Sequence, residues 1–248
     1  MSRPEGISGL VAGAPCTSER DWDGAPEWQR CHWDSVTWSI VSEYLIQQDG
    51  GVILAGMSSF VRRVPDGDNR ERLICADCGF VAYDNPKIVV GSVVVYDGKV
   101  LMCRRAINPR KGFWTLPAGY MELGETPAEG AAREAREEAE ADIEVDGLLG
   151  VFSIARIGQV QMIFRARFTD GNSPHFGAGP ESLEVALFSW DRIPWNDIAF
   201  PSVHWALQAW RTTGMGPLGQ PKGNPIEDLR GTRPMPGDIG DAKSGRTE

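Results

Sequence analysis

The alternation of apolar and polar residues predicts several strands in the middle of the chain. Residues 88–96 are rich in β-branched side chains and end at Asp97-Gly98, a dipeptide that favours a tight hairpin turn. Residues 99–104 then alternate between polar and apolar side chains, as a returning strand does. Three further strands are predicted by the same criteria: residues 148–157, 160–168 and 185–190.

Two segments have the period of an amphipathic helix. In the first, residues 127–139, Thr126 and Glu129 are spaced as a capping box, and Pro127 stands at the first helical position, where no N–H is needed. The alanines of this helix share one stripe, small enough to lie close against a sheet: Ala128, Ala131, Ala132, Ala135 and Ala139. The second helix is predicted over residues 203–213. Together these elements predict an α/β fold in which a mixed sheet is flanked by helices.

The composition is that of an ordinary soluble chain. Of the 248 residues, 42% are hydrophobic and 24% are charged, which is usual for globular proteins. The apolar runs are far shorter than the roughly 20 residues that a membrane-spanning helix needs, so no membrane partner is expected. Acidic residues outnumber basic ones 34 to 25, which argues against nucleic acid as a partner.

Cysteine usage and the first residues bear on the compartment. The five cysteines are scattered and give no disulfide framework, which favours a reducing environment. The chain begins with neither a secretory signal nor a clear targeting peptide. We therefore expect a protein that is not secreted and that resides in the cytoplasm or in an organelle stroma or matrix. A homodimer is left open.

Three glutamates stand close together on the first predicted helix. Glu134, Glu137 and Glu138 occupy one stripe, where like charges repel each other. Arg133 can pair with Glu137 and offset part of this charge. A hard divalent cation such as Mg²⁺ or Mn²⁺ would complete the site, because it prefers oxygen ligands. The alternative is a solvated acidic helix face without a metal.

A spaced motif of charged residues and glycine surrounds this helix. Gly119 is followed after five residues by Glu125, and after seven more by Arg-Glu-Ala-Arg-Glu-Glu at residues 133–138. This spacing resembles the Nudix box, G-x5-E-x7-R-E-U-x-E-E-x-G-U, in which U is aliphatic. Glu140 stands where the family pattern has glycine, a residue that suits a left-handed helix stop. The resemblance implies an α/β/α sandwich and hydrolysis of a nucleoside diphosphate linked to another moiety.

Segments outside the box are similar to one subgroup of that family, which includes plant-type FAD pyrophosphatases and ADP-ribose pyrophosphatases. The similarity covers about residues 61–210, and it is carried by residues 84–91, 104–105, 112–120 and 179–184. It implies a nucleotide as the small-molecule partner, either FAD, cleaved to FMN and AMP, or ADP-ribose, cleaved to AMP and ribose 5-phosphate. The alternative is a Nudix-like module that senses a nucleotide without hydrolysing it.

The resemblance also implies which residues hold the metal and move the proton. The metal ligands would be three glutamates of the box and the carbonyl of its first glycine: Glu134, Glu137, Glu138 and Gly119. The general base would be Glu134 or a glutamate on a loop outside the box, for which Glu184 and Glu181 are the candidates.

Other residues are predicted to support the site or to bind the substrate. Arg133 would pair with Glu125 and hold the loop against the helix. Arg104 and Arg105 end a predicted strand, where a guanidinium could hold a phosphate; a solvated strand end is the alternative. Trp114 could stack on a base, and core packing, the favoured alternative, would bury it.

Two cysteines near the start of the similar region have the spacing of a zinc knuckle. Cys75 and Cys78 are separated by two residues, and the subgroup commonly carries a second such pair about twenty residues upstream. Residues 53–60 contain no cysteine. Because two thiolates rarely hold a structural zinc ion, zinc is not favoured.

These observations divide the chain into four parts. Residues 1–60 are an N-terminal region of unassigned role that is partly disordered, in which residues 36–48 could form one helix. Residues 61–84 are a degenerate segment resembling a zinc ribbon, and residues 85–213 are the Nudix hydrolase domain. Residues 214–248 hold 8 glycines and 5 prolines and are predicted to be a disordered tail.

Overall fold

The computed structural model describes residues 60–232 and, for the backbone only, residues 47–48 and 51–52. Most of the N-terminal region that is predicted to be partly disordered lies outside the described residues, with most of its predicted helix, and so does the tail beyond residue 232. The chain separates into two units, Met1–Asn85 and Pro86–Glu248. In the described part, no helix is both long and apolar enough to cross a membrane.

The first unit contains a small antiparallel sheet whose five strands follow each other in chain order. The strands are β1 (Gln47–Gln48), β2 (Gly51–Val52), β3 (Phe60–Arg63), β4 (Arg72–Cys75) and β5 (Val81–Ala82). An ion pair of 2.9 Å between Arg72 and Asp68 holds the turn between β3 and β4. Cys75 is buried and Cys78 is exposed. Among the described residues, no third His, Cys, Asp or Glu joins them in a metal-binding group.

The second unit is built on a seven-stranded mixed sheet. Its strands are β6 (Lys87–Tyr96), β7 (Lys99–Arg105), β8 (Trp114–Thr115), β9 (Ala118–Tyr120), β10 (Ile143–Ile154), β11 (Gln159–Phe168) and β12 (Ser182–Phe188). The main order is β10-β11-β6-β7-β12, in which only β11 and β6 run parallel. Asp97 and Gly98 both have positive φ, 47° and 69°, which confirms the predicted hairpin turn.

The first hairpin of this sheet opens soon after its turn. Strands β6 and β7 pair directly at only two positions, Val95 with Val100 and Tyr96 with Lys99. Beyond these, β9 pairs with β6 and β8 pairs with β7. A Cβ on Gly91 would lie 2.4 Å from the Ala118 Cβ, so glycine permits this close pairing. The loop that follows β9 is thereby anchored to the sheet.

Two helices cover opposite faces of the sheet. Helix α1 (Pro127–Ala139) packs on Val94, and helix α2 (Pro201–Thr213) packs on Val93. Successive residues of a strand point to opposite faces, so the two helices enclose the sheet between them. This confirms the predicted α/β/α sandwich. Three alanines of the predicted stripe are fully buried on the α1 face: Ala131, Ala135 and Ala139.

Residues 214–232 pack against the sheet, so the prediction of a disordered tail is wrong for this part of it. The Lys222 carbonyl accepts from the Val151 N–H at 2.8 Å. The Asn224 side chain accepts from the Ser153 N–H at 2.7 Å and donates to the Ser153 carbonyl at 2.9 Å. These bonds pair the free edge of β10 without needing a large apolar surface, which is why composition alone missed them.

Glu140 ends α1 in the left-handed conformation, with φ 48° and ψ 30°. Because glycine adopts this conformation without Cβ crowding, we expect Glu140→Gly to raise the free energy of unfolding by about 0.5–1 kcal/mol. Urea denaturation at an unchanged m-value would measure it. Glu140→Ala removes the same carboxylate but keeps the Cβ, so it should give no gain. Equal gains from both variants would assign the effect to the carboxylate instead.

Candidate functional site

A capping box fixes the start of α1, as predicted. The Thr126 hydroxyl accepts from the Glu129 N–H at 3.3 Å, and the Glu129 carboxylate accepts from the Thr126 N–H at 2.8 Å. Pro127 occupies the first position of the helix. These bonds satisfy N–H groups that have no partner within the first turn. Helix α1 therefore begins at a defined point, directly after the loop that carries Glu125.

Two glutamates of α1 are buried against β9. Glu134 and Glu138 are only 8% and 6% exposed. Glu138 accepts from the Ala118 N–H at 3.1 Å. The Glu134 carboxylate lies so close to Gly119 that a Cβ there would be 2.4 Å from its Oε1 atom, so any larger residue would displace this carboxylate. The third glutamate, Glu137, is largely exposed.

Burial makes the charged forms of these two carboxylates costly. It is the main cause that raises the pKa of Glu134, with the bond from Arg133 acting in the opposite direction. Burial also raises the pKa of Glu138 to about 7; the Ala118 N–H partly offsets this, and the charge of Glu134 adds to it. Two adjacent buried carboxylates that resist ionisation favour a nearby positive charge.

Arg133 connects the loop to the helix through several bonds. Its Nε and Nη2 atoms donate to the two oxygens of Glu125 at 3.0 and 2.9 Å, the paired geometry that guanidinium favours. Nη1 donates to Glu134 at 2.7 Å and to Glu137 at 3.0 Å, and Nη2 also donates to the Tyr120 carbonyl at 3.0 Å. The bonds from Arg133 hold the pKa of Glu125 down at about 2. The predicted pair of Arg133 and Glu125 therefore forms.

The donor set on α1 and β9 fits a hard divalent cation. Carboxylate oxygens and a backbone carbonyl are the ligands that such ions prefer, and the two buried carboxylates need a countercharge. In the described part of the chain, no three acidic, His or Cys groups are close enough to enclose an ion. Arg133 engages Glu134 and Glu137 instead. Arg133 bonds one oxygen of each of these carboxylates, which leaves the second oxygen of each for a cation.

Of the two loop glutamates proposed as a base, Glu181 is the one beside the buried carboxylates. Its charge contributes to the raised pKa of both Glu134 and Glu138. Glu184 pairs in register with Arg104 and forms a 3.7 Å ion pair with it. It lies on the same side of β12 as the residues that face α2, so it points away from α1. The structure therefore does not bring Glu184 to the site.

The predicted substrate residues occupy different places. Arg105 is close enough to Glu138 to favour its charged form, and it donates through Nε to the Pro109 carbonyl at 2.9 Å. Arg104 is directed to the α2 face with Glu184. Trp114 is 8% exposed and packs edge-to-face on Phe188, with ring centroids 4.8 Å apart. Core packing, the favoured alternative for Trp114, buries its faces, so the structure does not offer this side chain for stacking on a substrate.

Sequence reasoning missed an exposed aromatic side chain next to the box glycine. Tyr120 is 52% exposed, and the Lys87 ammonium lies 5.4 Å from the centre of its ring. Its hydroxyl accepts from Gln159 at 3.0 Å. Its position directly after Gly119 in β9 is the signal that could have drawn attention to it.

Cation binding should release a proton when the pH is below about 7. Burial raises the pKa of Glu138 to about 7, and a metal ligand must be deprotonated. We expect the affinity for Mn²⁺ to rise about tenfold per pH unit from pH 5 to 7 and then to level off. Calorimetry at pH 6 in two buffers of different ionisation enthalpy measures the released proton. Equal heats in both buffers would contradict this assignment.

Family comparisons cover most of the described chain. A family model described as "NUDIX domain" matches residues 86–206, and one described as "Nudix N-terminal" matches residues 57–84. A solved NUDIX hydrolase from Nitrosomonas europaea is 44% identical and has a TM-score of 0.62. That alignment covers 67% of this chain and 94% of the other.

Curated relatives match over shorter stretches. A "MutT-like protein" of Streptomyces ambofaciens is 42% identical over 102 residues, which are 41% of this chain and 60% of that protein. An "ADP-ribose pyrophosphatase" of Methanocaldococcus jannaschii is 33% identical over 113 residues, 45% of this chain and 67% of that protein. This chain therefore spans only about three fifths to two thirds of these relatives. With the box geometry and the solved relative, the matches show that the chain belongs to the Nudix hydrolase family.

Proposed function

We propose that this chain hydrolyses the diphosphate bond of a nucleoside diphosphate linked to another moiety, with ADP-ribose as the favoured substrate. The observation that carries the proposal is the burial of Glu134 and Glu138 against β9, at a loop and helix joined by Arg133. Two adjacent buried carboxylates support recruitment of a cation rather than a solvated acidic face. The name of the relative from M. jannaschii supports the substrate class.

The residues that would hold Mg²⁺ or Mn²⁺ are the box glutamates, Glu134, Glu137 and Glu138, together with the Gly119 carbonyl. When bound, the cation supplies a countercharge for the diphosphate oxygens and lowers the pKa of a water molecule. Arg105, beside Glu138, would add a guanidinium that binds a phosphate oxygen.

Glu181 would act as the general base. Glu134 is the other candidate, but its Oε1 atom accepts from Arg133 at 2.7 Å, and the proposal already uses this carboxylate to hold the cation. Glu181 takes a proton from the attacking water as the new phosphorus–oxygen bond forms. The bond between the bridging oxygen and that phosphorus breaks, and two phosphomonoesters leave. For ADP-ribose these products are AMP and ribose 5-phosphate, and for FAD they are AMP and FMN.

Tyr120 would provide the surface on which the substrate stacks, in place of the buried Trp114. Tyr120 follows Gly119 in β9 and its ring is exposed, and the Lys87 ammonium above the ring favours a negatively charged ligand nearby. ADP-ribose and FAD share their ADP half, so this surface suits both. FAD therefore stays in the proposal as the second substrate to test.

A substrate panel tests the proposed function. Purified protein is incubated with ADP-ribose, FAD, NADH and dinucleoside polyphosphates, with Mg²⁺, Mn²⁺ or EDTA, and products are separated by chromatography. We expect AMP and ribose 5-phosphate from ADP-ribose, and no products with EDTA. Binding of these nucleotides without any turnover would support the nucleotide-sensing module instead. The panel does not test three other expectations, which stay predictions: the oligomeric state, the absence of nucleic-acid binding and the cellular compartment.

A further inference from the structure

The loop before β12 closes the carboxyl end of α1. The last carbonyls of a helix have no partner within the helix. Here Gly177 donates its N–H to the Ala139 carbonyl at 2.8 Å, and Gly179 donates its N–H to the Glu138 carbonyl at 3.2 Å. The turn of α1 that carries Glu138 is therefore bonded to a loop more than 35 residues later in the chain.

Gly179 approaches α1 too closely for any side chain. A Cβ on this residue would lie 1.8 Å from the Glu137 carbonyl oxygen and 2.9 Å from its carbon. At Gly177 a Cβ would meet only the end of the Glu140 side chain, at 2.6 Å. Neither glycine has a positive φ, so the requirement at Gly179 is space. A flexible side chain can move aside, but the backbone of a helix cannot do so cheaply.

The same loop leads directly to Glu181 and is fixed on both sides. The Ser182 N–H donates to the Gly179 carbonyl at 3.0 Å, and the Glu181 carbonyl accepts from the Ala106 N–H at 2.8 Å. The short turn that carries Glu181 is thus bonded to α1 through Gly179 and to the end of β7 through Ala106. The Glu181 carboxylate is close enough to act electrostatically on Glu134.

We propose that Gly179 is a positioning residue that holds the Glu181 turn on the last turn of α1 and so sets the distance between the base and the buried carboxylates. This inference rests on the proposed function, because it assumes that Glu181 takes the proton from water. It adds that the contact between Gly179 and the backbone of α1 places the base, Glu181. Catalysis is sensitive to displacement of a catalytic group by about 1 Å.

Two matched alanine variants test this inference with ADP-ribose and saturating Mn²⁺. In Gly179→Ala the new Cβ must push the loop off α1, so kcat should fall about 100-fold. KM should change less than about threefold, because the groups that bind substrate do not lie on this loop. Gly177→Ala adds the same atom two residues earlier and should keep kcat within about twofold of wild type. Equal losses in both variants, or an unchanged kcat in Gly179→Ala, would overturn the inference.

A second background separates positioning from general damage. If Gly179 acts through Glu181, the Gly179→Ala/Glu181→Gln double variant should be no slower than Glu181→Gln alone. A further loss of tenfold or more in the double variant would show that Gly179 supports something other than the base. Should Gly179→Ala fail to fold, Pro180→Gly, at an exposed position, loosens the turn without adding an atom. It should lower kcat in the wild-type background and not in Glu181→Gln.

The outcomes distinguish the two proposals. If the wild-type protein hydrolyses no nucleotide, the proposed function fails. If it hydrolyses ADP-ribose, but the double variant shows the full kcat losses of Gly179→Ala and Glu181→Gln combined, only the positioning role of Gly179 fails.

Discussion

Glu138→Gln should lower kcat for ADP-ribose by about 1000-fold while the fold is kept. Glutamine has the shape of glutamate, and its oxygen can still accept from the Ala118 N–H, which lies 3.1 Å from the Glu138 carboxylate. The variant loses one negative charge from the oxygen atoms that would hold the cation. Removing one such group lowers kcat by about two to three orders of magnitude or more. Steady-state rates at saturating Mn²⁺ measure it. A kcat within threefold of wild type would exclude Glu138 from the site.

The same variant should change the pH dependence of stability in the metal-free protein. Because burial raises the pKa of Glu138 to about 7, the folded state holds this proton more tightly than the unfolded state does. Its contribution to stability is therefore complete below about pH 4.5 and is lost as the pH rises through 7. In EDTA, Glu138→Gln should be more stable than wild type at pH 8, by on the order of 3 kcal/mol, and similar to it near pH 4.5.

Glu137→Gln is the matched control for this stability effect. Glu137 is mostly exposed and on the same turn of α1, so removing its charge should move the free energy of unfolding by less than about 1 kcal/mol at either pH. If Glu137→Gln raises the free energy of unfolding at pH 8 as much as Glu138→Gln does, general charge repulsion rather than burial of one carboxylate causes the stabilisation.

Arg133→Met should destabilise the protein by about 2–4 kcal/mol at pH 7.5. Arg133 is the common partner of Glu125 and Glu134 and also bonds the Tyr120 carbonyl. Without Arg133, the loop is no longer bonded to α1. Glu134 stays buried but loses the positive guanidinium that bonds it. We also expect kcat/KM to fall about 10–100-fold, as when a residue that orients metal ligands is removed. Urea denaturation and steady-state rates measure the two effects.

Arg133→Lys separates charge from geometry. Lysine keeps the positive charge, but its single ammonium cannot bond both Glu125 oxygens and the Tyr120 carbonyl as the guanidinium does. About half of the stability loss should remain in this variant. If Arg133→Lys behaves as wild type, the positive charge alone is sufficient and the bonding pattern of the guanidinium is not needed.

Local signals were enough to predict the elements around the site. The start of α1 depends on Thr126 and Glu129, which are three residues apart, so the capping box is visible in the sequence. The hairpin turn depends on Asp97 and Gly98 alone, and both adopt the expected conformation. The carboxylate stripe follows from helical spacing, so the convergence of Glu134 and Glu138 on one side of α1 was also predictable.

Features set by pairing between distant strands were not predictable. Trp114 is in a strand of two residues, and its burial depends on pairing with β7 and on packing against Phe188 from β12. An irregularity between Ser182 and Glu184 in the pairing of β12 with β7 sets which face each later residue occupies. Because a shift of one residue reverses the faces of a strand, the sequence could not separate Glu181 from Glu184.

Titration calorimetry with Mn²⁺ is the direct test of whether the buried glutamates of α1 hold a divalent cation at a diphosphate. The experiment uses the full chain at pH 7.5, with and without a non-hydrolysable ADP-ribose analogue, alongside Glu138→Gln. We expect Mn²⁺ to bind the wild-type protein, to bind more tightly with the analogue, and to bind at least about tenfold more weakly to Glu138→Gln. A folded wild-type protein that takes up no Mn²⁺ even with the analogue present would contradict the proposed metal site.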